Sequence, residues 1–338
     1  MFKKLYVFLL SALMMLSLFA CSTPEVQSAS SPVTTSAAQV AVSEETTVVE
    51  ESEAISTTIP TEVLTVPETE YPLTFTDSYG NETTLESEPQ RIISCAPNMT
   101  ELIFQLGAEN RLVGRTDYCD YPDAAFSIDS VGAIDSPNVE MIVSMEPDLV
   151  LASSIFTEDS FNQLTEMGIN VIVIHEEYDV DGVRNMILSV GEIINCNSQA
   201  IDITSAMDTL ISETQAIIEG LDKPKVYYAV SFGEYGDYTV GGDTYLHQLI
   251  EAAGGENVAE DVVGWSFSLE ALVEADPDII IVSQYMLDAF ISTAPYSDLR
   301  AVKEGHVYGI DSNLVDRQGF RNAEGILMLA ALFHPEAF

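Results

Sequence analysis

The side chains best suited to chemistry in this sequence are aromatic rings in polar loop segments. The segment 113–122 carries Arg115, Tyr118 and Asp120 and ends in a Tyr-Pro pair. A loop inserted at a strand end, rich in aromatic residues, suits a ligand-binding surface better than a core. Trp265, the only tryptophan, follows Gly264 in a polar context and would offer a flat platform to a ligand. These residues predict non-covalent binding.

Residue patterns for catalysis or for a bound metal are missing from the sequence. It has no GxSxG, GxGxxG or phosphate-binding loop, and its four histidines are scattered singly. Apart from Cys21 the cysteines are Cys95, Cys119 and Cys196, an odd number without zinc-site spacing. The sequence does not decide whether Cys95 and Cys119 form a disulfide bridge. We therefore expect that the chain is not an enzyme and that it carries no catalytic cofactor and no resident metal.

The charge of the chain excludes one class of partner. The sequence has 54 acidic and 12 basic residues, for a net charge of −42. Binding to nucleic acid requires clustered cations against the phosphates, so no nucleic-acid partner is expected.

A weak internal repeat is the main feature of the organisation. The segment 138–153 aligns without gaps on 268–283, and 102–110 aligns on 249–257. Each copy predicts a helix, a glycine stop, a loop, a second helix with Asn138 or Ser268 as its N-cap, and an apolar strand. Apolar runs without alternation are typical of parallel strands covered on both faces. The predicted strands are 92–95, 149–152, 170–175, 225–230 and 279–282.

A long amphipathic helix is predicted between the two copies, from Ser198 to the stop at Gly220. The fold class is therefore α/β, with two lobes of similar design joined by one long helix and a ligand crevice beside the strand carboxyl ends. A helical connector predicts lobes held at a nearly fixed distance.

The N-terminus predicts secretion and a lipid anchor. Lys3 and Lys4 precede an apolar run that reaches Ala20, as in a signal peptide, and Cys21 falls at the cleavage point. That Cys resembles the lipidated cysteine of bacterial lipoproteins. The segment 22–70 has no Lys, Arg, Gly or aromatic residue and predicts a disordered tether. The predicted parts are a signal peptide at 1–20, lipidated Cys and tether at 21–70, an N-terminal lobe at 71–196, the connecting helix at 197–221 and a C-terminal lobe at 222–338.

Five segments in order resemble one known family over about residues 73 to 335. They are 91–101, 113–122, the two repeat blocks with their Pro-Asp pairs, and 253–257. The family is that of the helical-backbone substrate-binding proteins of ABC importers for vitamin B12, haem and iron–siderophores. The segment 118–122, Tyr-Cys-Asp-Tyr-Pro, is most similar to the corrinoid branch. The resemblance implies Rossmann-like lobes, a single backbone helix, small closure on the ligand, and a permease dimer with ATPase subunits as partners.

The resemblance also implies which residues face the ligand. Tyr121 and Arg321 are interpreted instead as a packing residue and as a member of a structural ion pair. The expected ligand-facing residues are Asn98, Tyr118, Tyr238, Trp265, Asn313 and Arg317, with Asn313 one helical turn from Arg317.

The sequence departs from the corrinoid binders at Ile134 and Ser153, where those proteins tend to present tryptophan. Haem is the nearest rival ligand, with Tyr118, Tyr238 or Met99 as conceivable axial ligands. A ferric siderophore would require more cationic or aromatic lining than this chain offers.

Glu140 and Glu270 occupy equivalent places at the starts of equivalent predicted helices. A carboxylate there complements the helix dipole, and the resemblance implies docking of each lobe to a permease subunit. The function predicted from the sequence is capture of a corrinoid, cobalamin or cobinamide, at the outer face of the cytoplasmic membrane and its delivery to an ABC importer. The alternatives are a haem- or iron–siderophore-binding protein of the same importer family and a ligand-sensing surface lipoprotein.

Overall fold

The computed structural model describes residues 66–338, which begin with an antiparallel hairpin. Strands β1 (Leu73–Thr76) and β2 (Glu82–Leu85) pair along their whole length. The hairpin also contacts the edge of the neighbouring sheet, where the Ser78 amide donates to the carbonyl of Val173 at 3.1 Å. Covering an edge strand removes a free row of hydrogen-bonding groups. The predicted signal peptide and Cys21 lie outside the described residues.

Residues 66–70, the end of the predicted tether, are hydrogen-bonded to the first lobe. The Thr69 amide donates to Asn195 Oδ1 at 2.7 Å, and its hydroxyl donates to the Glu192 carbonyl at 2.8 Å. Asn197 donates to the Pro67 carbonyl at 3.0 Å. The remainder of the tether lies outside the described residues.

The first lobe contains a four-stranded parallel sheet in the order β4-β3-β5-β6. Its strands are buried on both faces because helices cover each side, which explains their continuous apolar sequences. The strands are β3 (Ile92–Cys95), β4 (Leu112–Arg115), β5 (Leu149–Ser153) and β6 (Val171–Ile174). The helices are α1 (Pro97–Gln105), α2 (Val139–Ser144), α3 (Glu158–Glu166) and α4 (Val180–Ile193).

The second lobe repeats this topology in a separate parallel sheet of order β10-β9-β7-β8. Read from the opposite edge, this is the strand order of the first lobe. The internal repeat therefore extends to the sheets. The strands are β7 (Lys225–Ala229), β8 (Glu256–Asn257), β9 (Ile279–Ser283) and β10 (Val307–Ile310). The helices are α6 (Tyr245–Ala252), α7 (Leu269–Ala275), α8 (Leu287–Ser292), α9 (Arg300–Glu304), α10 (Asn313–Asp316) and α11 (Asn322–Phe333).

Helix α5 (Asn197–Ile218) joins the lobes and runs for 22 residues. It packs against α4 of the first lobe and α11 of the second. Buried side chains of these three helices belong to one apolar cluster that continues into both lobes, among them Ile187, Met207 and Leu329. A shared core of this kind resists large movement of one lobe against the other. The predicted fold class is confirmed.

Local signals explain most of the agreement between sequence and structure. Asn138 and Ser268 cap α2 and α7, each accepting a hydrogen bond from the amide three residues ahead. Gly107 and Gly254 follow α1 and α6 with positive φ, as predicted for helix stops. Gly220, with φ of 78°, lies two residues beyond the end of α5.

Gly242 tests how closely two backbone segments of the second lobe pack. A Cβ atom at this position would overlap the backbone carbonyl oxygen of Glu260, which cannot swing aside as a side chain does. We expect Gly242→Ala to destabilise the protein by about 1–3 kcal/mol in urea unfolding, because overpacking forces the backbone to shift. Gly319→Ala is the control, since nothing lies within 4 Å of its added Cβ. Equal unfolding midpoints for the two variants would contradict this account.

Candidate ligand-binding site

A cavity of about 560 Å³, called here the main cavity, lies between the two lobes. The first lobe contributes the four residues that directly follow β6, and the second contributes residues at the carboxyl ends of β7 and β9. Crevices at the carboxyl ends of parallel strands are the usual binding sites of open α/β sheets. The main cavity is lined by His175, Glu176, Glu177, Tyr178, Tyr228, Ala229, Val230, Asp243, Thr244, Tyr245, Leu246, Gly264, Trp265, Ser283, Met286, Ser312, Asp316 and Gln318.

A smaller cavity of about 180 Å³, the side cavity, shares four lining residues with the main one. It lies at the carboxyl ends of β3 and β5, so the two cavities together follow the strand ends of both sheets. Ile134 and Ser153, where corrinoid binders tend to carry tryptophan, both line the side cavity. The four shared residues are His175, Glu176, Asp316 and Gln318.

Three of the six ligand-facing residues expected from the sequence line these cavities. Trp265 lines the main cavity with 45% of its surface exposed, and Asn98 and Arg317 line the side cavity. Tyr118, Tyr238 and Asn313 line neither cavity. Asn313 begins α10, four residues before Arg317, so the expected helical turn between them is present.

Backbone pairing explains the position of Tyr238. Its amide and carbonyl bond to the strand segment at Ser231, and it forms a second bridge with Ser266 beside Trp265. The ring lies across Gly236, within 2.8 Å of where a Cβ would stand at that residue. The ring is thus held at the rim near Trp265, 42% exposed.

Tyr118 is 60% exposed and belongs to the loop 116–122 of the first lobe. The loop is tied to the second lobe by Arg317, whose guanidinium donates to the Tyr118 carbonyl at 3.3 Å and to Asp120 at 2.6 Å. The Arg321 guanidinium lies over the Tyr121 ring, 3.9 Å from the ring centroid. The face of an aromatic ring attracts a positive charge in this position. Tyr121 therefore contacts protein, in line with its interpretation as a packing residue.

Glu101 is the centre of an ion network that joins the lobes. This carboxylate of α1 is 5% exposed and accepts hydrogen bonds from Arg317 at 2.8 Å and from Arg321 at 3.1 Å. The interpretation of Arg321 as an ion-pair residue is confirmed. Arg317 holds Glu101 and Asp120 together, so its charge is already balanced by two carboxylates of the first lobe.

Gln318 adds a second connection between the lobes. Its side-chain amide donates to the Glu177 carbonyl at 2.7 Å and accepts from the Glu177 amide at 2.6 Å. Asn98, which lines the side cavity, donates to the Gln318 carbonyl at 3.1 Å. The segment 317–321 thus fastens the lobes beside both cavities.

The segment 175–178 is the part of the site that sequence reasoning missed. Its sequence, His-Glu-Glu-Tyr, directly follows an apolar strand, the one signal that could have marked it. Partial burial raises the pKa of the Glu177 carboxyl, and the nearby Asp179 raises it further. Asp316 opens onto the cavity but is surrounded by protein, and this desolvation raises its pKa although Ser312 and Tyr228 hydrogen-bond to it.

Glu140 and Glu270 lie away from both cavities on the surface. Each is exposed and is the second residue of its helix, α2 or α7. The lobes therefore present the two carboxylates in equivalent local settings, each beside a capped helix start.

The three cysteines of the described residues, Cys95, Cys119 and Cys196, are free and buried. Burial is the main cause that raises the pKa of Cys95, and Cys119 lies close enough to raise it further. Among residues 66–338 no group of three or more His, Cys, Asp or Glu side chains is placed to hold a metal ion. No helix in this range has the length and hydrophobicity to cross a membrane.

Comparison with known proteins gives a consistent pattern of similarity. The family described as periplasmic binding protein matches residues 92–314. The uncharacterized ABC transporter substrate-binding lipoprotein YvrC of Bacillus subtilis is 30% identical over 79% of this chain and 87% of its own length. A cobalamin-binding protein of Halobacterium salinarum is 31% identical over 78% of this chain and 74% of its own. The solved haem-binding protein HutB of Vibrio cholerae superposes with a TM-score of 0.67 at 23% identity, covering 73% of this chain and 99% of that one, a likeness of fold alone.

Proposed function

The chain belongs to the periplasmic binding protein family, and from this membership we propose that it captures a corrinoid and delivers it to an ABC importer. Cys21 would carry the lipid anchor and hold the protein at the outer face of the cytoplasmic membrane. The tether would let the folded lobes reach from the anchor to the importer. The importer would supply a permease dimer and ATPase subunits as partners.

The corrinoid proposal rests on the ion pairs of Arg317, the arginine that lines the side cavity. Haem presents two carboxylates, whose burial requires cationic partners. Among residues 66–338, Arg317 is the only Lys or Arg that lines either cavity, and it is already bound to Glu101 and Asp120. A corrinoid carries neutral amide side chains around its ring, which hydrogen-bond to carboxylates and hydroxyls without needing cations. The similarity to a cobalamin-binding relative supports the same ligand.

His175 favours haem as the second candidate. Its Nε2 atom is buried without a hydrogen-bond partner among the described residues, and its ring lies edge-on to Tyr79 with centroids 4.2 Å apart. Histidine is a common axial ligand of haem iron. Of the axial ligands considered from sequence, Met99 is wholly buried in the core of the first lobe and cannot reach either cavity.

A visible-absorption titration of the purified protein tests the proposal. Cobalamin, cobinamide and haemin would be added separately, with serum albumin as a control for non-specific haemin binding. We expect saturable binding of at least one corrinoid and no specific response to haemin. A saturable shift of the haemin Soret band, with no corrinoid binding, would replace the corrinoid by haem.

Trp265 supplies a readout at the site itself, because it is the only tryptophan of the chain. Its ring lines the main cavity, so a bound corrinoid, which absorbs strongly near the emission of tryptophan, is expected to quench its fluorescence in step with the absorption titration. Unchanged fluorescence at saturation would place the ligand elsewhere.

A further inference from the structure

Four carboxylic acids line the main cavity without a cationic partner. Glu176 and Glu177 come from the first lobe, and Asp243 and Asp316 from the second. None of the four forms an ion pair with a Lys, Arg or His among residues 66–338. The acids thus face the same space from both sides.

Neutral groups, rather than charges, stabilise these carboxylates. Glu176 accepts a hydrogen bond from the Ser154 hydroxyl, and Asp316 accepts one from the Tyr228 hydroxyl at 3.1 Å. The Gly264 amide donates to Asp243 at 2.7 Å. Burial raises the pKa of Glu177 and Asp316, and hydrogen bonds from neutral groups leave the charge of an ionised carboxylate unbalanced. A negative field therefore extends into the cavity.

The nearest cation does not cancel this field. Arg317 lines only the side cavity, and in its ion network the two arginines, Arg317 and Arg321, are balanced by Glu101 and Asp120. His175 and Glu176 lie at the junction of the two cavities, so the acidic lining continues from one to the other.

The arrangement suits a large cation better than a metal ion. Among residues 66–338 the acids do not converge into a group that could hold a metal, and they share the cavity lining with aromatic rings. Tyr178, Tyr245 and Trp265 all line the same space, and aromatic faces also attract cations. A broad ligand with a positive centre and apolar faces would meet both kinds of surface.

We propose that the main cavity selects monocationic corrinoids without the anionic phosphodiester of the nucleotide loop over neutral corrinoids that carry it. This inference rests on the corrinoid proposal and names its ligand class more closely. Aquocyanocobinamide is the corresponding probe, and cyanocobalamin is the neutral corrinoid with the phosphodiester.

Three corrinoids separate charge from size in equilibrium titrations of the purified protein. Dicyanocobinamide, kept in excess cyanide, is neutral and has the same ring and side chains as aquocyanocobinamide. We expect aquocyanocobinamide to bind roughly tenfold or more tightly than either neutral corrinoid, because even screened charges interact appreciably across a cavity. The preference should shrink as salt is added.

The outcomes distinguish this inference from the proposed function. Equal affinity for the three corrinoids would overturn the charge selection and leave corrinoid capture standing. Tighter binding of cyanocobalamin would overturn it as well. Binding of haemin alone would overturn both.

A matched pair of double variants tests the role of the acids. We expect Glu176→Gln with Asp243→Asn to remove most of the preference for the cation, measured as the ratio of the affinities for aquocyanocobinamide and dicyanocobinamide. Asp202→Asn with Glu213→Gln changes the net charge equally on exposed positions of α5. An equal loss of preference in this control would assign the effect to the overall charge of −42 and overturn the proposal. Circular dichroism would confirm that both pairs fold.

Discussion

Replacing Glu140 and Glu270 together by alanine is expected to abolish corrinoid uptake while ligand affinity stays unchanged. Both carboxylates are exposed, and neither lines the main or the side cavity. They occupy equivalent positions in lobes with the same strand order. A receptor with two like faces can engage the two subunits of a permease dimer through the same contact made twice. Loss of both contacts should leave the ligand-loaded protein unable to dock.

Two measurements check this result in parallel. Uptake of labelled corrinoid by cells with the intact importer measures delivery, and titration of the purified double variant measures capture. Each single variant should reduce uptake partially, because one lobe can still dock. Reduced affinity in the purified double variant would instead make these carboxylates part of the ligand site. Normal uptake by the double variant would contradict a docking role for these two carboxylates.

Glu158→Ala provides the control for a purely structural effect. Glu158 is also exposed in the first turn of a capped helix, α3, and lies outside the aligned segments of the repeat. A carboxylate at such a position stabilises its helix by about 0.3–1 kcal/mol through the helix dipole. The control should therefore lose a similar amount of stability per residue and retain uptake. Loss of uptake in the control would assign the effect of the double variant to helix stability.

The sequence predicts the helices and strands of the repeated segments and the connecting helix because their signals are local. Apolar runs such as 149–152 indicate a strand buried on both faces, and Asn138 and Ser268 indicate helix starts. Neither signal depends on the tertiary fold. The repeat adds independent support, since the same pattern occurs twice. Short strands with mixed sequences, such as β4 and β10, carry a weaker signal and were not predicted.

The site is harder to predict because it depends on contacts distant in sequence. Arg317 and Glu101 are separated by 216 positions, and no pattern around either residue reveals that they pair. Tyr238 is held at the rim by its backbone bridges to Ser231 and Ser266. Trp265 could be predicted because a large ring with glycine and polar neighbours is a poor fit to a core.

Removal of the Glu101 carboxylate is expected to cost the protein about 3–5 kcal/mol of unfolding free energy, because it leaves two arginines near-buried without their shared partner. Arg317 and Arg321 both belong to the second lobe and both bond to this residue of the first. Glu101→Gln keeps the shape and one acceptor oxygen but loses the charge. Urea unfolding measures the change. Glu109→Gln, at an exposed position nearby without an ion pair, should be close to neutral.

Glu101→Gln also tests whether the ion network of Glu101 holds the two lobes together or is only a local packing contact. In Glu101→Gln, Arg317 keeps only Asp120 as a charged partner, so the loop 116–122 and the segment 317–321 should open more readily. Amide hydrogen exchange should rise more in these two segments than in the outer strands β4 and β10. A uniform rise over the described residues would mean that Glu101 stabilises the fold without bracing the cleft. An additional rise in the two segments, with weaker ligand binding, would support a network that holds the cleft at the width its ligand requires.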